Sequence, residues 1–237
     1  MRAGIGLQGQ GGDVAGLVHD PRIRGTPEQG QHRVGHPDDP DDVGVDQPQK
    51  GRRVERRRLV GPTAKVLDTY AAHPGACAVD LLLCEAHEQR ELVCSGRADM
   101  ALLHLPFDAV TGLDTEALLT EGQVVVLPGD HPLAGRTAVS QAEVAAAPGP
   151  PPARWPAPDG SCPEGTGVAV RNLTQLFQLI ALGRATVVLP ASAAVDLRRD
   201  LVAVPVTDAP PVTTVLAWLP ESRSRPVADL VRVAATV

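Results

Sequence analysis

Residues 78–106, AVDLLLCEAHEQRELVCSGRADMALLHLP, carry two strand patterns around one helix pattern. In AVDLLLCE (78–85), Val79, Leu81 and Leu83 alternate with Asp80, Leu82 and Cys84, a pattern that predicts a buried strand. EQRELVCSG (88–96) reads as a helix that Gly96 ends, and ADMALLHLP (98–106) as a second strand. Strand, helix and strand within about 30 residues is the length of a βαβ unit, which makes its strands parallel and its crossover right-handed. The first layer is therefore expected to be a parallel sheet.

Working outward, PTAKVLDTYAAH (62–73) opens with Pro at a first-turn position and sets Val66, Leu67, Tyr70 and Ala71 on one helical face. Pro74-Gly75 stops it. Downstream, TEALLT (115–120) and QVVVLP (123–128) read as strands, and the second runs into GDHPLAG (129–135), turn-rich and suited to a crossover between lobes. The pattern then restarts. Ser140 to Glu143 has capping-box spacing, and the seven Pro and four Gly of 148–167 exclude regular structure there. VAVR (168–171) reads as a short strand. Asn172 can cap LTQLFQLIALG, in which Leu173, Leu176, Phe177, Ile180 and Ala181 share a face and Gly183 ends the helix. ATVVLP, LVAVPV and VTTVLAW add strands, and Ser224 precedes a last helix carrying Val227, Leu230, Val231 and Ala234 on one face. Two α/β lobes result, joined near 127–133: lobe I about 62–127, lobe II about 128–206, and a return to lobe I over 207–237.

Composition agrees with layered α/β packing. At 43% apolar residues but only 2% aromatic, the core must come from Leu, Val and Ala. A net charge of −6 opposes non-specific attachment to nucleic acid, whose affinity follows the phosphates that Lys and Arg neutralise. The four Cys form no CxxC pair; Cys77, Cys84 and Cys94 lie in or beside apolar runs and read as reduced, buried thiols of a cytosolic protein. Neither a signal-peptide core nor a membrane-length apolar run occurs, so a cytoplasmic location is expected.

Residues 1–61 are unlike the rest. They contain 12 Gly and 5 Pro, and Ile5, Leu7, Leu17, Val18 and Ile23 follow neither helical nor strand periodicity. An acidic cluster (Asp38, Asp39, Asp41, Asp42) lies close to a basic one (Arg52, Arg53, Arg56, Arg57, Arg58), a charge pattern expected of a solvated, disordered leader.

Catalytic signatures are missing. Ser95, Ser161 and Ser192 have no GxSxG frame, and HExxH, the P-loop and a GxGxxG after a strand do not occur. His, Asp and Glu are not grouped at metal-ligand spacing. No enzyme, metal or cofactor is expected.

Five phrases in order carry a family resemblance: HPG (73–75), ELVCSGRADMALLHLPFD (91–108), LDTEALLTEGQVVVLPGDHPLAG (113–135), RNLTQLFQLIALGRATVVLPASAA (171–194) and VTDAPPVTTVLAW (206–218). Residues 62–237 resemble the effector (substrate)-binding domain of LysR-type bacterial transcription regulators. The resemblance implies a two-lobed, periplasmic-binding-protein-like (type 2) α/β sandwich, a small organic effector, often a carboxylate, in the cleft, and dimers or tetramers built through the domain. It also implies a helix-turn-helix and a linker helix ahead of the domain, which 1–61 do not show, so DNA is expected as a partner only through a segment not visible here. The first strand of lobe I is expected to be missing, with only Leu59-Val60 left of it. On this reading the leader comes from another reading frame and the regulator is truncated; a stand-alone solute-binding protein and a sensor fragment that modulates an intact regulator are the alternatives. No membrane partner is expected.

Ligands of open α/β lobes sit at the carboxyl ends of strands, beside helix N-termini. That rule selects Glu85-Ala86-His87, Leu105-Pro106-Phe107 and Asn172-Leu173-Thr174. Asn172 and Thr174 either cap a helix or also hydrogen-bond an effector carboxylate. His87 is either a solvated helix-start residue or a ligand contact, and Phe107 either cleft wall or core. Thr63 is a further candidate from the first helix, and His131 reads as structural. The expected effector-binding set is thus Thr63, Ala86, His87, Pro106, Phe107, Asn172, Leu173 and Thr174.

Overall fold

The computed structural model describes the backbone of residues 2–6 and residues 62–82, 84, 85, 87–155, 157, 161–195 and 197–237. Both charge clusters of the leader, and Leu59-Val60, lie outside the described residues. In chain order the elements are β1 (Arg2–Gly6), α1 (Pro62–Ala71), β2 (Ala78–Leu82), α2 (Gln89–Cys94), β3 (Met100–Leu105), β4 (Asp114–Glu121), β5 (Gln123–Pro128), α3 (Gln141–Ala146), α4 (Leu173–Ala181), β6 (Val187–Pro190), the 3-10 helix η1 (Ala191–Ala194), β7 (Leu201–Val206), β8 (Val212–Trp218) and α5 (Arg225–Ala234). They form a five-stranded sheet, β2-β1-β3-β8-β4, and a three-stranded sheet, β6-β5-β7.

The 78–106 unit folds as strand, helix and strand, and its two strands run parallel with a third between them. β1 pairs in parallel with β2 over Arg2↔Ala78 to Gly6↔Leu82 and with β3 at Ile5↔Met100 and Gly6↔Ala101. The slot expected to be empty is thus filled, by a strand that the Gly-rich sequence RAGIG did not announce. A five-residue strand paired on both sides needs backbone hydrogen bonds more than side-chain alternation, so periodicity is silent about it.

Three other expectations are corrected. β2 is an edge strand, with Ala78, Asp80 and Leu81 exposed and only Val79 and Leu82 partly buried, one against each face of the sheet. The first sheet is mixed, because β8 runs antiparallel to both β3 and β4. VAVR makes only an isolated bridge, Arg154↔Ala169, since its neighbour is the Pro-rich segment, which cannot supply a ladder. The strand at 115–120 extends to 114–121, with one extra residue between the pairs Ala117↔Val215 and Leu119↔Thr214. The chain changes sheet at Gly122, between β4 and β5, and returns between Val206 and Val212, so the first crossing comes earlier than GDHPLAG.

Two clusters sandwich the larger sheet. Val66 and Tyr70 of α1 and Val227, Leu230, Val233 and Ala234 of α5 pack on Met100, Leu102 and Leu216. On the other face Leu92 and Val93 of α2 meet Ala101, Leu103, Val215 and Ala217. Burial, reinforced by the hydrogen bond with the Cys77 thiol, pushes the Tyr70 hydroxyl up to about 12. The smaller sheet is covered by α4, whose Leu176, Phe177 and Ile180 close on Val124, Val126 and Val187. α4 starts and stops as its sequence predicts: Asn172 Oδ1 accepts from the Gln175 N–H at 2.9 Å, and Gly183 takes φ +64°, the left-handed turn that a Cβ would disfavour. The capping box at Ser140 is complete in both directions. Of the four Cys only Cys84 is buried; Cys94 and Cys162 are exposed.

Candidate functional site at the junction of the two sheets

Strand direction fixes which edge of the first sheet faces the second. β2, β1 and β3 end on the same edge, and so does β4, being antiparallel to β8. Both crossings, at Gly122 and at 207–211, leave from that edge. α1 is followed by β2, which starts on the opposite edge, so the first turn of α1, with Thr63, also lies at the junction. The same logic holds across it. β6 runs antiparallel to β5 and ends beside Gln123, and α4 precedes β6 as its antiparallel partner, so Asn172, Leu173 and Thr174 at the start of α4 are turned toward the first sheet. The positive ends of one helix from each lobe thus point to one junction.

The chemistry there centres on Asp108. Its carboxylate, 5% exposed, takes the His104 backbone N–H on Oδ2 at 2.7 Å and stands 3.1 Å from His87 Nδ1 through Oδ1. One buried carboxylate therefore ties the loop after β2 to the loop after β3. His87 is half-buried at φ +68°, a conformation costly for a residue with a Cβ, and the Asp108 contact holds it in that conformation. It is packed against the loop after β3 and is not a solvated helix start. Next to it, the Gln89 side chain is fully buried with neither amide atom hydrogen-bonded to a described residue.

His104 reaches the junction on the α1 face, opposite Thr214 of β8. Its side chain is 16% exposed, and Nδ1, buried and without a hydrogen bond to a described residue, lies 3.8 Å from Asp108 Oδ2. Burial holds this imidazole below its ordinary value, against the opposing pull of the Asp108 and Glu121 carboxylates. Glu121, the last residue of β4, accepts from Ser192 N–H at 2.7 Å and Ser192 O–H at 2.5 Å, joining the first sheet to η1. Gln123 Nε2 donates to Pro210 O at 2.8 Å and so links the two crossings.

Of the residues selected from sequence, Thr63, His87, Pro106 and Phe107 lie on the first-sheet side and Asn172, Leu173 and Thr174 on the other, while Ala86 lies outside the described residues. Pro106 follows a cis peptide bond and is exposed, and Phe107, 46% exposed, is at the surface and not in the core. Asn172 caps α4 and Thr174 is exposed. His131 accepts from the Leu133 N–H within a turn. Sequence reasoning missed Gln89, His104, Asp108, Glu121 and Ser192. HLPFD (104–108) carries the signal, a His and an Asp four apart at a strand end, but strand periodicity picks out only its apolar residues. A cavity of about 200 Å³ lies elsewhere, between α3 and the second sheet, lined by Leu127, Leu133, Val144 and Thr186. Its walls bring no ionisable pair together, so the junction remains the chemically equipped site. Among the described residues, no group of three or more His, Cys, Asp and Glu is placed to hold a metal ion.

Comparison with known proteins agrees with this architecture. The family model described as the LysR substrate binding domain matches residues 61–237. The chain belongs to the LysR substrate binding domain family. Solved structures extend the LysR assignment to the fold. The reduced form of OxyR shares 25% identity and a TM-score of 0.52, covering 65% of this chain and 77% of that one. The effector binding domain of a BenM variant gives 18% identity and a TM-score of 0.57 over 73% of this chain and 87% of that one. An OxyR C206 mutant from Corynebacterium glutamicum gives 19% and 0.55, over 72% and 58%. A search of curated protein sequences returned no match. This LysR domain is of the periplasmic-binding-protein type, with two α/β lobes and a mixed first sheet.

Proposed function

We propose that this LysR domain senses a small organic effector bound at the junction of its two sheets and acts on transcription through a DNA-binding helix-turn-helix. The observation that carries the proposal is the convergence of the N-termini of α1 and α4, with Thr63 and Thr174, on the edge where both crossings run. A ligand there touches both lobes, and its differential affinity for two lobe arrangements shifts their populations. The domain acts by binding, not by catalysis, and needs no cofactor; no helix among the described residues is long and apolar enough to cross a membrane. We place the regulator in the cytoplasm, assembled as a homodimer or tetramer through this domain.

The test is a thermal-shift screen of the chain against small organic acids and their neutral analogues, followed by calorimetry on each hit. Thr63→Ala and Thr174→Ala are each expected to weaken a confirmed ligand by about tenfold, the loss of one hydrogen bond to a charged group. If both variants bind a hit as tightly as the parent chain, the effector is not at this junction.

A further inference from the structure

The second lobe has a cavity of its own, at the end of its sheet away from the junction. β5 starts at the junction with Gln123, and Leu127, four residues on, lies about 13 Å further along the strand. Thr186 stands just ahead of β6, the strand that ends beside Gln123, so it too is at the far end. Between these residues and α3 is a space of about 200 Å³. An apolar cavity of about 150 Å³ holds a benzene ring, so this one has room for a ring and a small substituent. Nine of its eleven lining residues have apolar side chains or none, and the other two are His131 and Thr186. Among the described residues, no Lys, Arg, Asp or Glu lines it.

The two polar side chains are not alike. The Thr186 hydroxyl donates to the Pro150 carbonyl at 3.5 Å, and Pro150, Pro151 and Pro152 have no N–H to offer. His131 Nδ1 accepts the Leu133 N–H at 3.1 Å, which orients the ring and leaves its proton on Nε2. That edge of the ring lies at Gly149, on the cavity wall, where a Cβ would stand 3.1 Å from Nε2. We propose that this cavity is a second binding site, for a neutral monocyclic compound whose carbonyl, ether or hydroxyl oxygen accepts from His131 Nε2–H. An organic carboxylate, the class expected at the junction, does not fit, because its charge would be desolvated with no cation to pair with. The site also has a route to the rest of the chain. α3 buries none of its residues fully, and its first residue is tied to the return crossing: Gln141 N–H donates to Asp208 Oδ1 at 2.7 Å and Gln141 Nε2 to Asp208 O at 2.9 Å. An occupant that braces α3 therefore bears on the segment that leads back to the first sheet.

The experiment is a methyl NMR titration of the full chain, labelled at Leu and Val, with three probes. Acetophenone has the ring and the acceptor, ethylbenzene the ring without it, and benzoate is a carboxylate of nearly the same shape. Acetophenone is expected to shift the Leu127, Leu133 and Val144 methyl signals to saturation, and the other two probes to bind there at least about fivefold more weakly, the scale of one neutral hydrogen bond. His131→Asn keeps an acceptor near the Leu133 N–H but removes the Nε2 donor, and should erase the preference for acetophenone over ethylbenzene. Thr63→Ala and Thr174→Ala should leave acetophenone binding at these methyls unchanged. No saturable shift at the three residues overturns the site. Equal binding of acetophenone and benzoate overturns its charge selection, and equal binding of acetophenone and ethylbenzene to the parent chain overturns the role of His131. None of these readouts depends on the effector screen at the junction, so the two readings fail separately.

Discussion

The two lobes are built differently. Everything in the three-stranded sheet and its helices lies in one continuous stretch between Gln123 and Val206, although β5 pairs with β6 across α3 and α4 and with β7 from the far end of that stretch. The five-stranded sheet is assembled from three stretches, with its second strand from Arg2–Gly6, three strands from 62–121 and one from the final residues. Local codes of caps, periods and turns mark out the elements of the first kind of lobe, all from one stretch of chain. The second kind depends on which distant strand wins a slot, information that a window of a few residues does not contain.

Core truncation tests that contrast with the largest effect. Ile180→Ala in the second lobe and Leu102→Ala in the first, both in fully packed clusters, should each cost about 2–5 kcal/mol in urea unfolding. Should Leu102→Ala separate one transition into two while Ile180→Ala does not, the lobes are independent units and the contrast sharpens; a single shared transition in both would mean that the junction bonds unite them. Next in size, Gly4→Pro removes a ladder donor from β1, which is paired on both sides, and should cost at least about 1 kcal/mol per hydrogen bond lost. An unchanged midpoint would show that β1 contributes nothing to the lobe. Asn172→Ala should cost about 1 kcal/mol by releasing the Gln175 N–H, with Asn172→Asp near the parent, measured by thermal unfolding. The smallest effect is electrostatic. Because burial depresses the folded-state value of His104, the unfolded chain binds its proton first, so stability is whole above about pH 6.5 and falls as pH drops through the window between the unfolded and folded values. His104→Gln should flatten that part of the pH–stability curve, and a curve that keeps its slope would assign the proton to another group.

What was legible follows the same division. The cap at Asn172, the capping box at Ser140, the left-handed glycines at 96 and 183, and β7 and β8 over 201–206 and 212–218 could all be read from the sequence, because each is fixed by residues within a turn or strand of one another. β1 was not legible, since two of its five residues are glycine and its partners lie more than seventy positions away. Nor was the antiparallel placement of β8 between β3 and β4, because strand periodicity carries no direction. At the junction, helix starts gave away Thr63, Asn172 and Thr174, whereas Asp108, Glu121 and Ser192 matter through partners 21 and 71 residues distant, which single-residue patterns do not reveal.

The origin of β1 also bears on the order of events as the chain folds. Residues 7–61, fifty-five in number, separate it from α1. By chain entropy alone, bringing together ends that far apart in sequence costs only about 2 kcal/mol more than across five residues, so the pairing is tolerable once formed. The delay is kinetic. Until the amino terminus returns, β2 and β3 stand apart with unpaired inner edges, and any extended segment that arrives first can add to them. Refolding yield should therefore fall as protein concentration rises, with the open middle of the first lobe as the point of misassembly.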